Sequence, residues 1–379
     1  MEMNMPILLL DKEKCLANIG MMATRATSRG LDLRPHFKTH QSAEVGSWFR
    51  DFGVSAIAVS SFRMAAYFAG AGWEEILVAF PFIPGDLTLL NVLAGRCRVS
   101  ILLDNPAALP FLERLEHPVE WYLDTDTGYG RSGIRAEEPE TMEQLLKAAG
   151  RDPNLVFKGF YCHAGHSYKA GNREERDAIH RKAVQDLERL KGQFSHFDPL
   201  VLYGDTPNCS IQEDFGAVDQ LTPGNFVFYD LFQRTIGSCR ADEIAVAMAC
   251  PVAGKYRDGR RILVHGGAVH FSKETLPAPP VTRGHEDAFP GHPVYGLVVE
   301  RTDEGWSLPI TENYLTGLSQ EHGILEGCGE LYDRVNIGDT LFILPVHSCL
   351  TANLMGSYRT LDGVPIETIN TKTNGIHTH

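Results

Sequence analysis

The chain has 379 residues, 35 of them basic and 48 acidic, for a formal net charge of −13. That length suits one large α/β barrel with a smaller domain, and the acidic balance argues against non-specific binding to nucleic acid or anionic membranes. No apolar run is long enough to cross a bilayer, and the opening Met1, Glu2, Met3, Asn4, Met5, Pro6 lacks the basic start of a secretory signal, so a cytoplasmic protein without membrane partners is expected. The eight cysteines (Cys15, Cys97, Cys162, Cys209, Cys239, Cys250, Cys328, Cys349) form no paired framework and read as reduced thiols.

Residues 6–10 read as a short strand running into Asp11, the N-cap of a helix with Leu16, Ile19 and Met22 on one face and Gly30 closing it. Apolar runs of strand type then recur near 31–36, 54–59, 76–80, 98–103, 119–124, 156–161, 198–203 and 218–221, with stretches of helical spacing between most of them. Eight such runs predict a (β/α)8 barrel over residues 11–245, whose chemistry belongs at the C-terminal ends of its strands. Beyond about residue 245 the texture becomes β-rich, with runs at 243–248, 261–264, 294–299 and 340–344 and almost no helical periodicity. Pro277, Pro279, Pro280, Gly284, Pro290 and Gly291 mark 274–293 as a long loop. No internal repeat or low-complexity tract is present.

Several stretches carry residues with chemical potential. Lys38 follows the first barrel run, in Leu33-Arg34-Pro35-His36-Phe37-Lys38-Thr39-His40. A lysine that is desolvated or set beside cations loses basicity and attacks a carbonyl to form a Schiff base. Arg34, His36 and His40 are the candidate neighbours; on composition alone a lysine ending a surface strand is the commoner case. Arg131 stands in a glycine-rich loop, Asp124 to Gly133, where it either holds a phenolate or carboxylate or is simply solvated. His163 and Tyr168 follow the run 156–161, as pocket residues or as satisfied core groups. Tyr203-Gly204-Asp205-Thr206-Pro207 and Pro223-Gly224-Asn225-Phe226 offer backbone N–H groups to a phosphate, or are plain turns. His347 and Cys349 lie two apart on what reads as a strand, so both would face one ion in an open site; the alternative is a buried histidine and an inert thiol.

Resemblance weighs these alternatives. Arg34-Pro35-His36-Phe37-Lys38-Thr39-His40 resembles the Arg-Pro-His-x-Lys signature of fold-type III pyridoxal-phosphate enzymes, the group of D-serine dehydratases, D-threonine aldolases and, more distantly, alanine racemases. The layout is similar over nearly the whole chain: a TIM-type barrel followed by a mainly antiparallel, alanine-racemase-like β domain of residues 246–379, to which residues 1–10 return. The resemblance implies that Lys38 carries pyridoxal 5'-phosphate. Arg131, in a segment like the group's Asp-x-Gly-x-x-Arg-x-Gly, would lie against the pyridoxal ring, and His163 and Tyr168 match a His-x-Gly-x-x-Tyr pattern lining the pocket. Thr206, Gly224 and Asn225 would hold the phosphate, with Tyr229 as a further candidate for the site; Asp205 stands where serine is usual, an unfavourable neighbour for a phosphate unless turned away.

His347 and Cys349 match the His-x-Cys metal pair of the dehydratases, where aldolases read His-x-Asp. A thiolate favours zinc over manganese or magnesium. Glu321 or His322 would orient those ligands, and His265 departs from an acid usual at its position. The implied activity is a lyase eliminating water from a 3-hydroxy-D-amino acid (D-serine, D-threonine or 3-hydroxy-D-aspartate), with retro-aldol cleavage to glycine and an aldehyde as the alternative. Racemisation, with Tyr314 or Tyr332 as second base, and a non-catalytic cofactor carrier rank below. Members of the group are often dimers, so a homodimer is expected.

Overall fold

The computed structural model describes residues 4–276, 293–302, 305–306 and 313–371. The prolines and glycines that mark the loop expected at 274–293 lie outside the described residues. The chain divides into two compact units, Ile19–Phe226 and Met1–Asn18 with Val227–His379. Relative to the lines drawn at residues 11 and 245, residues 11–18 and 227–245 group with the β unit. The Asn18 amide donates to the carbonyls of Val227 and Glu243 at 3.4 and 2.9 Å, and the Ala245 N–H donates to the Phe228 carbonyl at 2.7 Å.

After β1 (Ile7–Leu10), which belongs to the β unit, come β2 (Asp32–Leu33), β3 (Ala56–Val59), β4 (Glu75–Pro81), β5 (Arg98–Leu103), β6 (Val119–Asp126), β7 (Ile134–Arg135), β8 (Leu155–His163), β9 (Leu200–Gly204) and β10 (Gln220–Leu221). Eight of them pair in parallel in the order β2-β10-β9-β8-β6-β5-β4-β3, with β7 beside β6. They fall on the eight apolar runs, as expected of parallel strands buried on both faces. The seam is joined just past β2: His36 forms a parallel bridge with Ala58, the Phe37 N–H donates to the Ala58 carbonyl at 2.8 Å, and the Ala58 N–H donates to the Pro35 carbonyl at 3.0 Å. The barrel therefore closes on the segment that carries Lys38.

Its interior is filled by Ala58, Leu77, Leu102, Tyr122, Tyr161 and Leu202, the larger side chains each contributing roughly 1.5–3 kcal/mol on burial. Near the strand starts, buried Arg34 is ion-paired with Glu75 and donates to the Gln220 side chain at 2.8 Å, while Arg98 reaches Glu75 at 2.8 Å. That end of a barrel serves stability rather than chemistry.

The β unit contains β11 (Val246–Tyr256), β12 (Arg261–His265), β13 (Gly296–Val299), β14 (Arg301–Thr302), β15 (Gly305–Trp306), β16 (Tyr314–Leu318), β17 (His322–Leu325), β18 (Thr340–Pro345), β19 (Ser357–Thr360) and β20 (Pro365–Glu367). Strands β11, β12, β17, β16, β13 and β18 pair antiparallel in a ring that returns to β11. The N-terminal β1 adds to β11, with Ile7 opposite Ala249 and Leu10 opposite Val246, and β19 joins β1 in parallel. The unit also holds helices at Ala268–Phe271, Gly329–Arg334 and Ser348–Met355, which the sequence pattern did not announce. Four to eight residues are too few to establish a period of 3.6.

Candidate active site

Lys38 sits in a turn directly after the His36 bridge and is exposed. Its neighbours anchor it: Phe37 is fully buried against His40, Phe49, Phe68 and Trp73, with ring centroids 4.4 to 5.1 Å apart, and Thr39 is buried as well. The backbone N–H of Lys38 donates to Nδ1 of His36 at 3.3 Å. The expectation that Arg34, His36 and His40 lend positive charge is corrected here. Burial holds His40 down to about 3, and burial followed by the charge of Lys38 holds His36 well below the usual imidazole range, so both rings are neutral. Arg34 is engaged with Glu75. Arg131 is the cation whose charge bears, with that of Lys38, on His36 and His163.

Arg131 is presented by a loop wound around one carboxylate. Asp126 accepts the N–H groups of Gly128, Tyr129 and Gly130 at 2.9, 2.8 and 3.1 Å. Such a tight turn needs the left-handed backbone of Gly128 and Gly130, at φ 120° and 71°. The Arg131 guanidinium lies 5.3 Å from the centroid of the Tyr129 ring. Tyr129 in turn packs flat on Gly165, where an added Cβ would come within 2.5 Å of the ring, and stands 5.9 Å from His163 between centroids. Burial, reinforced by Lys38 and Arg131, lowers His163 to about 3 and leaves a neutral ring beside Tyr168.

The two turns expected at a phosphate meet. The Thr206 N–H donates to the Tyr168 hydroxyl at 3.2 Å, and the Asn225 N–H donates to Oγ1 of Thr206 at 3.1 Å. Gly224 packs on the lysine segment, where a Cβ would lie 2.9 Å from the His36 carbonyl oxygen and 3.2 Å from Oγ1 of Thr39. Lys38, Arg131, His163, Tyr168, Thr206, Gly224 and Asn225 are thus linked contact by contact at one end of the barrel. A rim of close-approach glycines, neutral imidazoles and one guanidinium fits a flat, anionic heteroaromatic cofactor. Asp205 is turned away: it caps the helix Thr206–Ile211 by accepting the Asn208 N–H at 2.6 Å, and its other oxygen accepts the Tyr203 hydroxyl at 2.9 Å and the Asn208 amide at 3.0 Å. Burial pushes its carboxyl up, which further weakens repulsion of a phosphate.

In the β unit, His347 and Cys349 do not share a strand. β18 ends at Pro345, His347 is the extended cap residue of the helix Ser348–Met355, and Cys349 is that helix's second residue. The two side chains nonetheless come close enough to interact, with the first helical turn supplying the convergence assigned to a pleat. Buried Asp230 fixes that turn, accepting the backbone N–H and the hydroxyl of Ser348 at 3.0 and 3.2 Å. Nδ1 of His347 donates to Glu274 at 2.6 Å. An imidazole and a thiol in contact, backed by a carboxylate, suit a divalent ion that keeps open positions.

Sequence reasoning missed Glu274 and Asp230; the expected orienting residues act elsewhere. Glu321 faces His265 and His270, at 3.5 and 3.8 Å from their Nε2 atoms, and His322 is exposed on β17. The trio His265, His270 and Glu321 is compact enough to draw a cation, but the Gly267 N–H donates to Nδ1 of His270 at 3.1 Å. A neutral ring accepting at Nδ1 carries its proton on Nε2, so that nitrogen turns an N–H toward Glu321, 3.8 Å away, and has no lone pair for a metal. Tyr332 lies beneath the cations of Lys255 and Arg260, and Tyr314 is on β16. Tyr229 is fully buried within the β unit.

The model of the alanine racemase N-terminal domain matches residues 10–227, and that of the serine dehydratase domain matches residues 245–361. The chain is 31% identical to D-threo-3-hydroxyaspartate dehydratase of Delftia sp. strain HT23, over 94% of this chain and 93% of that protein. It is 25% identical to D-serine dehydratase of Dictyostelium discoideum (95% and 94% covered) and 24% identical to 3-hydroxy-D-aspartate aldolase of Paracoccus denitrificans strain Pd 1222 (97% and 91%). The solved Delftia dehydratase superimposes with a TM-score of 0.85 at 27% identity, covering 97% of each chain; a cysteine-to-alanine variant of it has been solved in a metal-free form.

Proposed function

Since the chain belongs to the alanine racemase N-terminal domain family, we propose that it is a pyridoxal-phosphate- and divalent-metal-dependent lyase removing water from a 3-hydroxy-D-amino acid to give a 2-oxo acid and ammonia. The observation that carries the reading is the contact between His347 and Cys349, an imidazole–thiol donor pair in the stretch matched by the serine dehydratase domain.

When bound, pyridoxal phosphate supplies the electron sink for a Cα carbanion, and the divalent ion, zinc ahead of manganese or magnesium, supplies a Lewis acid for the departing hydroxide. Lys38 would hold the cofactor through its amine, and the same amine would serve as the base for the Cα proton. Its side chain is exposed at the barrel end, while buried Phe37 and Thr39 keep its backbone in place. Arg131 offers a guanidinium to the anionic side of the ring, and the neutral rings of His36 and His163 line the pocket without adding charge. Thr206 and, from the second turn, Gly224 and Asn225 would hold the phosphate. His347 and Cys349 would hold the ion, and two protein donors would leave room for a substrate hydroxyl. The released enamine tautomerises to an imine, takes up water and loses ammonia, so the water lost and the water gained cancel and the net change is loss of ammonia.

The test supplies D-serine, D-threonine and 3-hydroxy-D-aspartate to protein loaded with pyridoxal phosphate and zinc or manganese. A 2-oxo acid with ammonia supports the reading; glycine with an aldehyde and no 2-oxo acid overturns it in favour of aldol cleavage, the reaction named for the Paracoccus relative. Cofactor binding without turnover would mark a carrier.

A further inference from the structure

The donor pair in the β unit is braced by two carboxylates. Asp230, buried, grips the backbone of Ser348 between the two donors and also caps the helix Leu231–Thr235 through the Gln233 N–H at 2.8 Å. Glu274 is exposed and meets the ring, with Oε2 2.6 Å from Nδ1 of His347. The segment that leads into Glu274 is tied down twice. Oγ1 of Thr351, in the helix that bears Cys349, donates to the Phe271 carbonyl at 3.3 Å, and the Glu274 N–H donates to Oγ of Ser272 at 3.2 Å. Ser272 itself turns the chain with φ 74°.

An imidazole binds a metal through one nitrogen only when the other carries the proton. A carboxylate fixed at Nδ1 accepts the hydrogen bond from that N–H and leaves the Nε2 lone pair for a metal. It also raises the ring's basicity as a ligand. We propose that Glu274 is the positioning residue of this metal centre: it selects the Nε2-binding tautomer of His347 and thereby sets metal affinity without ligating the ion. The proposal rests on the function proposed above. It concerns a residue 73 positions from its partner, outside the His-x-Cys motif.

Glutamine keeps a carbonyl oxygen that accepts from Nδ1, whereas alanine removes the acceptor. Zinc affinity is measured by chelator competition on the full chain, wild type beside Glu274→Ala and Glu274→Gln, with melting curves taken without metal. The expected result is a loss of about 10- to 100-fold for Glu274→Ala and less than tenfold for Glu274→Gln, with metal-free melting unchanged. With cobalt at saturation, the thiolate-to-metal charge-transfer band persists in Glu274→Ala, because Cys349 still binds. Equal affinity in wild type and Glu274→Ala overturns the proposal. So does a Glu274→Gln protein as weak as Glu274→Ala, which would make the carboxylate itself a ligand. A wild-type protein that takes up no zinc removes the metal site and the lyase reading together.

Discussion

Gly224 gives the most direct test of how the barrel end is assembled, because the argument concerns space alone. A Cβ on residue 224 would stand 2.9 Å from the carbonyl oxygen of His36, 3.1 Å from its Cβ and 3.2 Å from Oγ1 of Thr39. The first of these atoms is backbone, in the segment that closes the barrel onto Ala58, so no flexible side chain can swing aside. Gly224→Ala must push the 223–225 turn away from the lysine segment, and overpacking of this kind costs about 1–3 kcal/mol. For a unit of this size, 1 kcal/mol moves the melting temperature by about 2–4 °C, so a fall on the order of 5 °C is expected. The displacement also separates the phosphate turn from the lysine, so affinity for pyridoxal phosphate falls, read from the visible absorbance of the bound cofactor. Gly70→Ala is the control: nothing lies within 4 Å of its Cβ position at the end of the helix Phe62–Gly70, and the protein should melt no lower than wild type. Wild-type melting and cofactor affinity in Gly224→Ala would refute the close approach.

Lys38→Ala should leave melting without cofactor within about 0.5 kcal/mol of wild type, since the side chain is exposed, while abolishing the visible band that borohydride removes and all product formation. Asp230→Ala leaves the Ser348 N–H and the helix Leu231–Thr235 without their acceptor; a loss of about 2–4 kcal/mol in denaturant unfolding, with weaker zinc uptake, is expected. Burial raises Asp124 from its ordinary value near 4 to about 6 against the opposing hydrogen bond from Ser132. The folded protein therefore holds a proton there that the unfolded chain has lost, and stability falls as pH rises from about 4 to 6. Asp124→Asn should flatten that stretch of the stability profile and raise stability at pH 7 by up to about 3 kcal/mol; a profile of unchanged slope would count against the raised value.

What was readable in the chain depended on whether the deciding interaction is local. The barrel strands were legible because each is a continuous apolar run whose burial is settled by its own residues, as in Ile76-Leu77-Val78 or Ile101-Leu102-Leu103. The candidate residues at the barrel end stood out as motifs because each motif is one turn of chain. The convergence of His347 and Cys349 was expected too, but for a geometric reason that fails. Whether Ser348 begins a helix depends on Asp230, 118 residues earlier, and no reading of Pro345 to Cys349 contains that carboxylate. The charge states of His36 and His40 were misjudged on the same ground: proximity in sequence counts neighbours, whereas the aromatic shell of Phe37, Phe49 and Phe68 decides the cost of a proton on His40.

Glu274 shows the limit most sharply, since in the sequence it is an acid at the edge of a proline-rich stretch, indistinguishable from a solvated loop residue. Only the packing of the helix Ala268–Phe271 against Ser348–Met355 brings it to an imidazole. The same reasoning applies to Asp205. As a motif departure it argued against a phosphate, yet the helix cap absorbs the carboxylate as it would a serine hydroxyl, so the substitution preserves the turn while changing the residue. A motif position therefore constrains the hydrogen bond that must be made, and a different side chain is compatible with the site whenever it can make that bond facing inward.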